Sequence, residues 1–285
     1  MRTSVIDAGR DPADGSGSRS EKRGEIALDD SPAMRYWNAL RSLLEATVNG
    51  QVAAIQRAAD LAADALVAGH RLYIYDTGHL LSRELVNRAG GLVALTPLAF
   101  QLGVENTIAH EMPRARREPD ETEVRGYVRY ALGQAGVRSG DVVIIGSVTG
   151  ARVLPIEVAL QLRAADVRLI GLTSLEYSAF VPARHSSGKK LTELCDVVID
   201  NHCVVGDAVL SMAADGVRVG PSSGISAATL MWMFCVEVVA RQWNRGKTPL
   251  VLESMNLPGA MERNQNKAAQ YLASIEKSSG EGNGD

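Results

Sequence analysis

Hydroxyl-bearing side chains recur at four points of this chain, each at the end of an apolar run or at the start of a helical pattern. Thr77, Gly78, His79 and Ser82 follow the run at 72–75. Ser147, Thr149 and Gly150 follow the run at 142–145. Thr173 and Ser174 close the run at 167–172, and Ser222, Ser223 and Ser226 open the apolar stretch at 225–241. The first turns of helices carry unpaired amides and the positive end of the helix dipole, so they attract anions. Serine and threonine hydroxyls add neutral donors. A single cluster of this kind is usually an N-cap. Four clusters at strand ends of a doubly wound sheet would converge, and the ligand they suit is a phosphorylated small molecule.

Titratable residues near these turns suggest catalysis. Glu84 lies five residues past His79 on the helix that follows the first strand. A carboxylate desolvated beside a pocket gains the raised pKa that proton abstraction needs. The competing reading is a surface ion pair with Arg83 or Arg88. His79 can donate to a ligand oxygen, or simply pack. His110 precedes Glu111 in a long connection, and His185 opens the HSSGKK segment, where Lys189 could join it on a phosphate. A lone loop histidine is most often just solvated. Glu157 follows Pro155 at a helix start, where the dipole alone justifies a carboxylate.

These residues need elements to position them. Ser31 as N-cap and Pro32 at the first helical position open a stripe of Trp37, Leu40, Leu44 and Val48, which Gly50 ends. A second stripe, Val52, Ile55, Ala59, Ala62 and Leu66, ends at Gly69. Strands are expected at 72–75, 92–95, 142–145, 167–172 and 197–199, and helices at 81–89, 124–135, 153–165, 191–195, 225–241 and 262–276. Continuous apolar strands alternating with helices predict an α/β fold with a parallel sheet covered on both faces. Ligands bind such sheets at the carboxyl ends of the strands. Residues 1–31 and 278–285 read as disordered tails, and 32–277 as a single domain with a helical pair at its N-terminal end.

Bulk properties exclude several functions. The 285 residues are 46% hydrophobic, carry 30 basic and 33 acidic side chains, and have a net charge of −3, so no basic excess suits a nucleic acid. Cys195, Cys203 and Cys235 form no C-x-x-C pair, which fits a reducing cytoplasm. The N-terminal text lacks the apolar segment of an export signal, and no run is read as a membrane span. No G-x-G-x-x-G follows the first strand, so no dinucleotide cofactor is expected. The segments at Gly188-Lys189-Lys190 and Gly246-Lys247-Thr248 each lack part of a P-loop. Strand alternation and turn capping explain Asp196, Asp200, His202 and Asp207 without a metal, and no metal is expected. G-x-S-x-G is missing as well.

The stretch TGHLLSRELVNRAGGL at 77–92 resembles the first signature of sugar isomerase (SIS) domains, and GSVTGARVLPIEVALQLRAADVRLIGLTS at 146–174 resembles their second. The segments at 178–208 and 222–234 are similar to one SIS subgroup regarded as sugar isomerases or phosphosugar-binding proteins. The resemblance covers about residues 33–270. It implies a flavodoxin-like, Rossmann-type five-stranded sheet, a phosphorylated sugar as ligand, and a homodimer or homotetramer. It further implies an aldose–ketose isomerase in which Glu84 moves the proton, His79 assists ring opening, and His110 reaches a neighbouring subunit's site. An etherase acting on an amino-sugar phosphate and a non-catalytic phosphosugar sensor are the alternatives. Many SIS proteins carry Ser-Asn-Ser-Gly in the second loop. Here it is Ser147-Val148-Thr149-Gly150, which keeps both hydroxyls and loses the amide.

Overall fold

The computed structural model describes residues 31–78, 81–100, 119–212 and 216–280. The chain opens with helix α1, Pro32–Val67. The Ser31 hydroxyl accepts from the Met34 amide at 3.2 Å, and Pro32 sits at the first helical position. Where the sequence suggests two helices broken at Gly50, α1 runs unbroken through it for 36 residues. Glycine in a helix interior costs about 1 kcal/mol. Burial of Thr47, Ala54, Ile55 and Ala58 on either side of Gly50 outweighs that cost.

Five parallel strands follow: β1 (Leu72–Asp76), β2 (Leu95–Pro97), β3 (Val142–Gly146), β4 (Arg168–Thr173) and β5 (Val197–Asp200). Their order, β2-β1-β3-β4-β5, is the flavodoxin-like doubly wound arrangement. Helices α2 (Leu81–Leu85), α3 (Glu121–Ala135), α4 (Val153–Ala164) and α5 (Leu175–Phe180) alternate with them. A hairpin, β6 (Ala208–Ser211) and β7 (Arg218–Pro221), precedes α6 (Ser223–Asn244) and α7 (Ala260–Gly280).

Alternation along the strands builds the two cores. Leu72, Ile74, Val142, Ile144, Ile170 and Leu172 face α1 and α6. Tyr73, Tyr75, Val143, Ile145 and Leu169 face α3 and α4. Alanines at 54, 58, 59 and 62 let α1 and α6 approach closely, and Arg241 and Arg245 reach across to Asp60 and Asp64, each at 2.7 Å. By length and composition alone α6 is apolar enough to cross a membrane. Its residues Leu230, Met231, Phe234 and Val238 are instead buried in the first core.

Other boundaries moved. Helix α2 ends after Leu85, and Asn87 then adopts a φ of 57°. The second strand lies at 95–97 rather than 92–95. Leu92 instead bridges Val251 in antiparallel fashion, so a segment after α6 pairs where the strand was expected. The β6–β7 hairpin and α5 had no counterpart in the sequence reading.

Candidate functional site

A cleft of about 570 Å³ lies across the carboxyl ends of the strands. Its wall includes Thr77 and Gly78 after β1, Ser147, Thr149 and Arg152 after β3, Asn201 after β5, and Ser223 at the start of α6. Gly78, Thr149 and Ser223 are far apart in sequence and share this cleft, as the convergence argument requires. Ser82 lines an adjoining hollow that shares Thr77, Gly78 and Arg152 with it.

The turn after β3 presents the open donors. The Ser147 amide donates to Leu172 O at 3.0 Å and the Gly150 amide to Ser147 O at 3.1 Å, which curls residues 147–150 back on themselves. Among the described residues, the amides of Val148 and Thr149 and the hydroxyls of Ser147 and Thr149 have no partner. Arg152 caps α4 without a side-chain bond, and its guanidinium is exposed at the cleft without an ion pair among the described residues. Gly150 has a φ of 57°, and a Cβ there would stand 2.9 Å from Leu191 Cβ and 3.1 Å from Thr173 Oγ1. Only glycine fits this backbone without a shift.

The other three clusters are differently employed. After β1, the amides of Gly78 and Leu81 donate to the Asp76 carboxylate at 2.9 and 3.1 Å, and the Thr77 hydroxyl donates to Gly146 O at 3.0 Å. The chain's own carboxylate thus holds the turn where an external anion was expected. At α6, the Ser222 and Ser223 amides donate to Asp207 Oδ1 at 3.0 and 2.8 Å, and the Ser223 hydroxyl donates to Asp207 Oδ2 at 2.7 Å. Burial alone would raise the Asp207 carboxyl, but the bonds from Ser223, Cys203 and Ser222 hold it below the usual carboxylate range. Burial and this carboxylate push the Cys203 thiol up to about 12.

Thr173 and Ser174 make structural contacts instead of lining the cleft. Both are fully buried. The Thr173 hydroxyl donates to Val148 O at 3.0 Å, and the Ser174 hydroxyl donates to Cys203 O at 2.6 Å. They hold the β3–α4 turn from beneath.

His185 and Lys189 also stand apart from the cleft. His185 is buried away from the cleft, with Nε2 3.0 Å from Glu157 Oε2. Its segment backs the turn: the Arg184 amide donates to Ala151 O at 3.1 Å and the Leu191 amide to Gly150 O at 2.8 Å. Lys189 is exposed and does not line the cleft.

Glu84 does not line the cleft either. It pairs with Arg88 at 3.1 Å across one helical turn, the surface pairing that competed with the catalytic reading. His79 and His110 lie outside the described residues.

Sequence reasoning missed Arg152 and Asn201, and read Asp207 only as a turn cap. Arg152 stands two residues past Gly150, at a helix start where a cation has no local electrostatic reason to be. That mismatch was the available signal. Asn201 had none, because the β5 end reads as an ordinary polar loop, and Asp207 showed only its capping role.

A cleft at the strand carboxyl ends, where the connections after β1 and β3 run to opposite sides of the sheet, defines a doubly wound α/β protein with a cleft at its topological switch point. Residues 35–174 match the SIS domain family. The chain is 33% identical over 242 residues to a UPF0309 protein of Halalkalibacterium halodurans, covering 84% of this chain and 94% of that one. It is 32% identical to a UPF0309 protein of Streptomyces coelicolor, covering 85% and 96%. The chain belongs to the UPF0309 family of SIS-domain proteins. Among solved structures, a phosphoheptose isomerase of Neisseria gonorrhoeae aligns with a TM-score of 0.47 at 15% identity, covering 75% of this chain and 100% of that one. The sugar isomerase domain of an RpiR transcription factor from Sphaerobacter thermophilus aligns at 0.43 and 12% identity, covering 86% and 98%.

Proposed function

We propose that this protein binds a phosphorylated sugar in the cleft, with its phosphate on the β3–α4 turn. The observation that carries the reading is the set of uncommitted donors on that turn: two amides, the Ser147 and Thr149 hydroxyls, and the Arg152 guanidinium. Amides and hydroxyls alone suit a dianion through helix-terminal geometry. A guanidinium adds charge-assisted hydrogen bonds of roughly twice the strength of neutral ones. Thermal unfolding with phosphorylated sugars, the same sugars unphosphorylated, and inorganic phosphate tests this. A ligand at about 100 times its Kd adds about 2.7 kcal/mol. A response to unphosphorylated sugars alone would refute it.

Binding is better supported than turnover. The carboxylates lining the cleft, Asp76 and Asp207, are committed to backbone amides, and Glu84 is paired with Arg88. Aldose–ketose isomerisation needs a base at the sugar C2, and Glu84 can serve as that base only if it leaves Arg88 and turns to the ligand. Loss of the C2 proton signal in deuterated water, abolished by Glu84→Gln, would establish that chemistry. A bound sugar phosphate that shows no exchange leaves a phosphosugar sensor.

A further inference from the structure

We propose that Asn201 and Asp207 are the specificity-determining residues of the cleft, reading sugar hydroxyls while the β3–α4 turn holds the phosphate; this rests on the binding reading above. Asn201 is 2% exposed and lines the cleft. Its Oδ1 accepts from the Cys203 amide at 3.1 Å. Since that amide can only donate, the side-chain orientation is fixed, and Nδ2 is the atom left over. Nδ2 has no partner among the described residues. That atom is not sealed in the core but open to the cleft, where water or a ligand hydroxyl can accept from it.

Asp207 supplies the complementary acceptor. Its Oδ1 is taken by the Cys203 thiol and the Ser222 and Ser223 amides, whereas among the described residues Oδ2 receives the Ser223 hydroxyl alone. An ionised carboxylate oxygen keeps further lone pairs after one bond. The carboxylate at the α6 amides also repels a second anion there, so a phosphate is directed to the β3–α4 turn. The end of β5 lies two strands from the end of β3, about 10 Å at ordinary spacing. That span suits a sugar phosphate whose phosphate rests on one turn and whose hydroxyls meet the other. A donor and an acceptor lining one cleft match vicinal hydroxyls, each of which can accept from Asn201 or donate to Asp207.

Isothermal titration of the full chain tests the assignment, using inorganic phosphate, butyl phosphate, and a panel of pentose, hexose and heptose phosphates. At least one sugar phosphate should bind about tenfold or more tighter than butyl phosphate. Asn201→Asp keeps the acceptor for Cys203 and removes the donor. It should abolish the preference for the sugar phosphate over inorganic phosphate. Asp207→Asn, tolerated at the positive φ of this position, should narrow the same ratio and serves if the first variant does not fold. A wild-type protein that binds inorganic phosphate but prefers no sugar phosphate, or variants that keep the preference, would overturn this assignment and leave the phosphate reading standing. Absence of binding to every phosphate would remove both.

Discussion

The Nε2 atom of His185 lies 3.0 Å from Oε2 of Glu157, and the two side chains are 1% and 4% exposed. The Ser187 amide donates to His185 Nδ1 at 3.0 Å, so the ring proton sits on Nε2 and is donated to the carboxylate. Glu157 also receives Gln161 Nε2 at 2.7 Å and faces Arg125 at 3.5 Å. This buried pair fastens the 184–191 segment, which in turn supports Gly150. His185→Ala should therefore destabilise by about 3 kcal/mol, because it removes one partner of a buried carboxylate. Urea unfolding measures that loss. Phosphate affinity should weaken with it even though His185 touches no ligand.

Acid stability follows from two carboxylates. Burial tends to raise Glu157, yet bonds from Gln161 and His185 hold it below its ordinary 4.5, and Asp207 is held below its ordinary 3.8. A folded-state value lower than the unfolded one stabilises the protein above the unfolded value, and that contribution is lost as pH falls through the folded one. Stability from these groups should stay level down to about pH 5 and then decline. Asp207→Asn should flatten the decline. An unchanged acid limb in that variant would rule out its part.

Gly150→Ala should cost about 1–3 kcal/mol through the strained φ and the close Leu191 Cβ. Because the shift falls on the turn itself, phosphate affinity should drop with stability. Thermal unfolding and titration with inorganic phosphate report the two effects separately.

Thr149→Val and Ser223→Ala separate an open hydroxyl from a committed one. The first should weaken phosphate binding about tenfold with little change in Tm. The second removes the 2.7 Å bond to Asp207 and should lower stability by about 1 kcal/mol while leaving inorganic phosphate affinity intact. Equal effects of both on phosphate would restore the α6 start as an anion site.

Arg152→Gln should likewise raise the phosphate Kd about tenfold or more, since hydrogen bonds to charged groups are worth about 1.5–3 kcal/mol. Its side chain has no ion pair among the described residues, so Tm without ligand should not move. Steepening salt dependence of binding in the wild type, lost in the variant, would identify the charge.

Local patterns were enough to read the doubly wound sheet. Apolar runs such as Val142–Ile145, glycines after strands and 3.6-residue stripes are short-range signals, and buried parallel strands leave them plainly in the chain. The sharing of one cleft by Gly78, Thr149 and Ser223 was likewise legible, because strand ends in this topology must converge. Which hydroxyls stay free was not legible. Thr173 and Thr149 look alike as sequence, yet one is buried against Val148 O and the other faces the cleft. The continuity of α1 through Gly50 was decided by packing on α6, and the commitment of Glu84 to Arg88 rather than the cleft by where α2 places its side chain.

Residue type and spacing by themselves determined the layers, the strand ends and the kind of anion they suit. The tertiary structure alone decided that Asp76 and Asp207 occupy two helix starts and leave the β3–α4 turn open. Hydrogen-bond satisfaction is settled among partners distant in sequence, and no local pattern records which donor finds an acceptor within the chain.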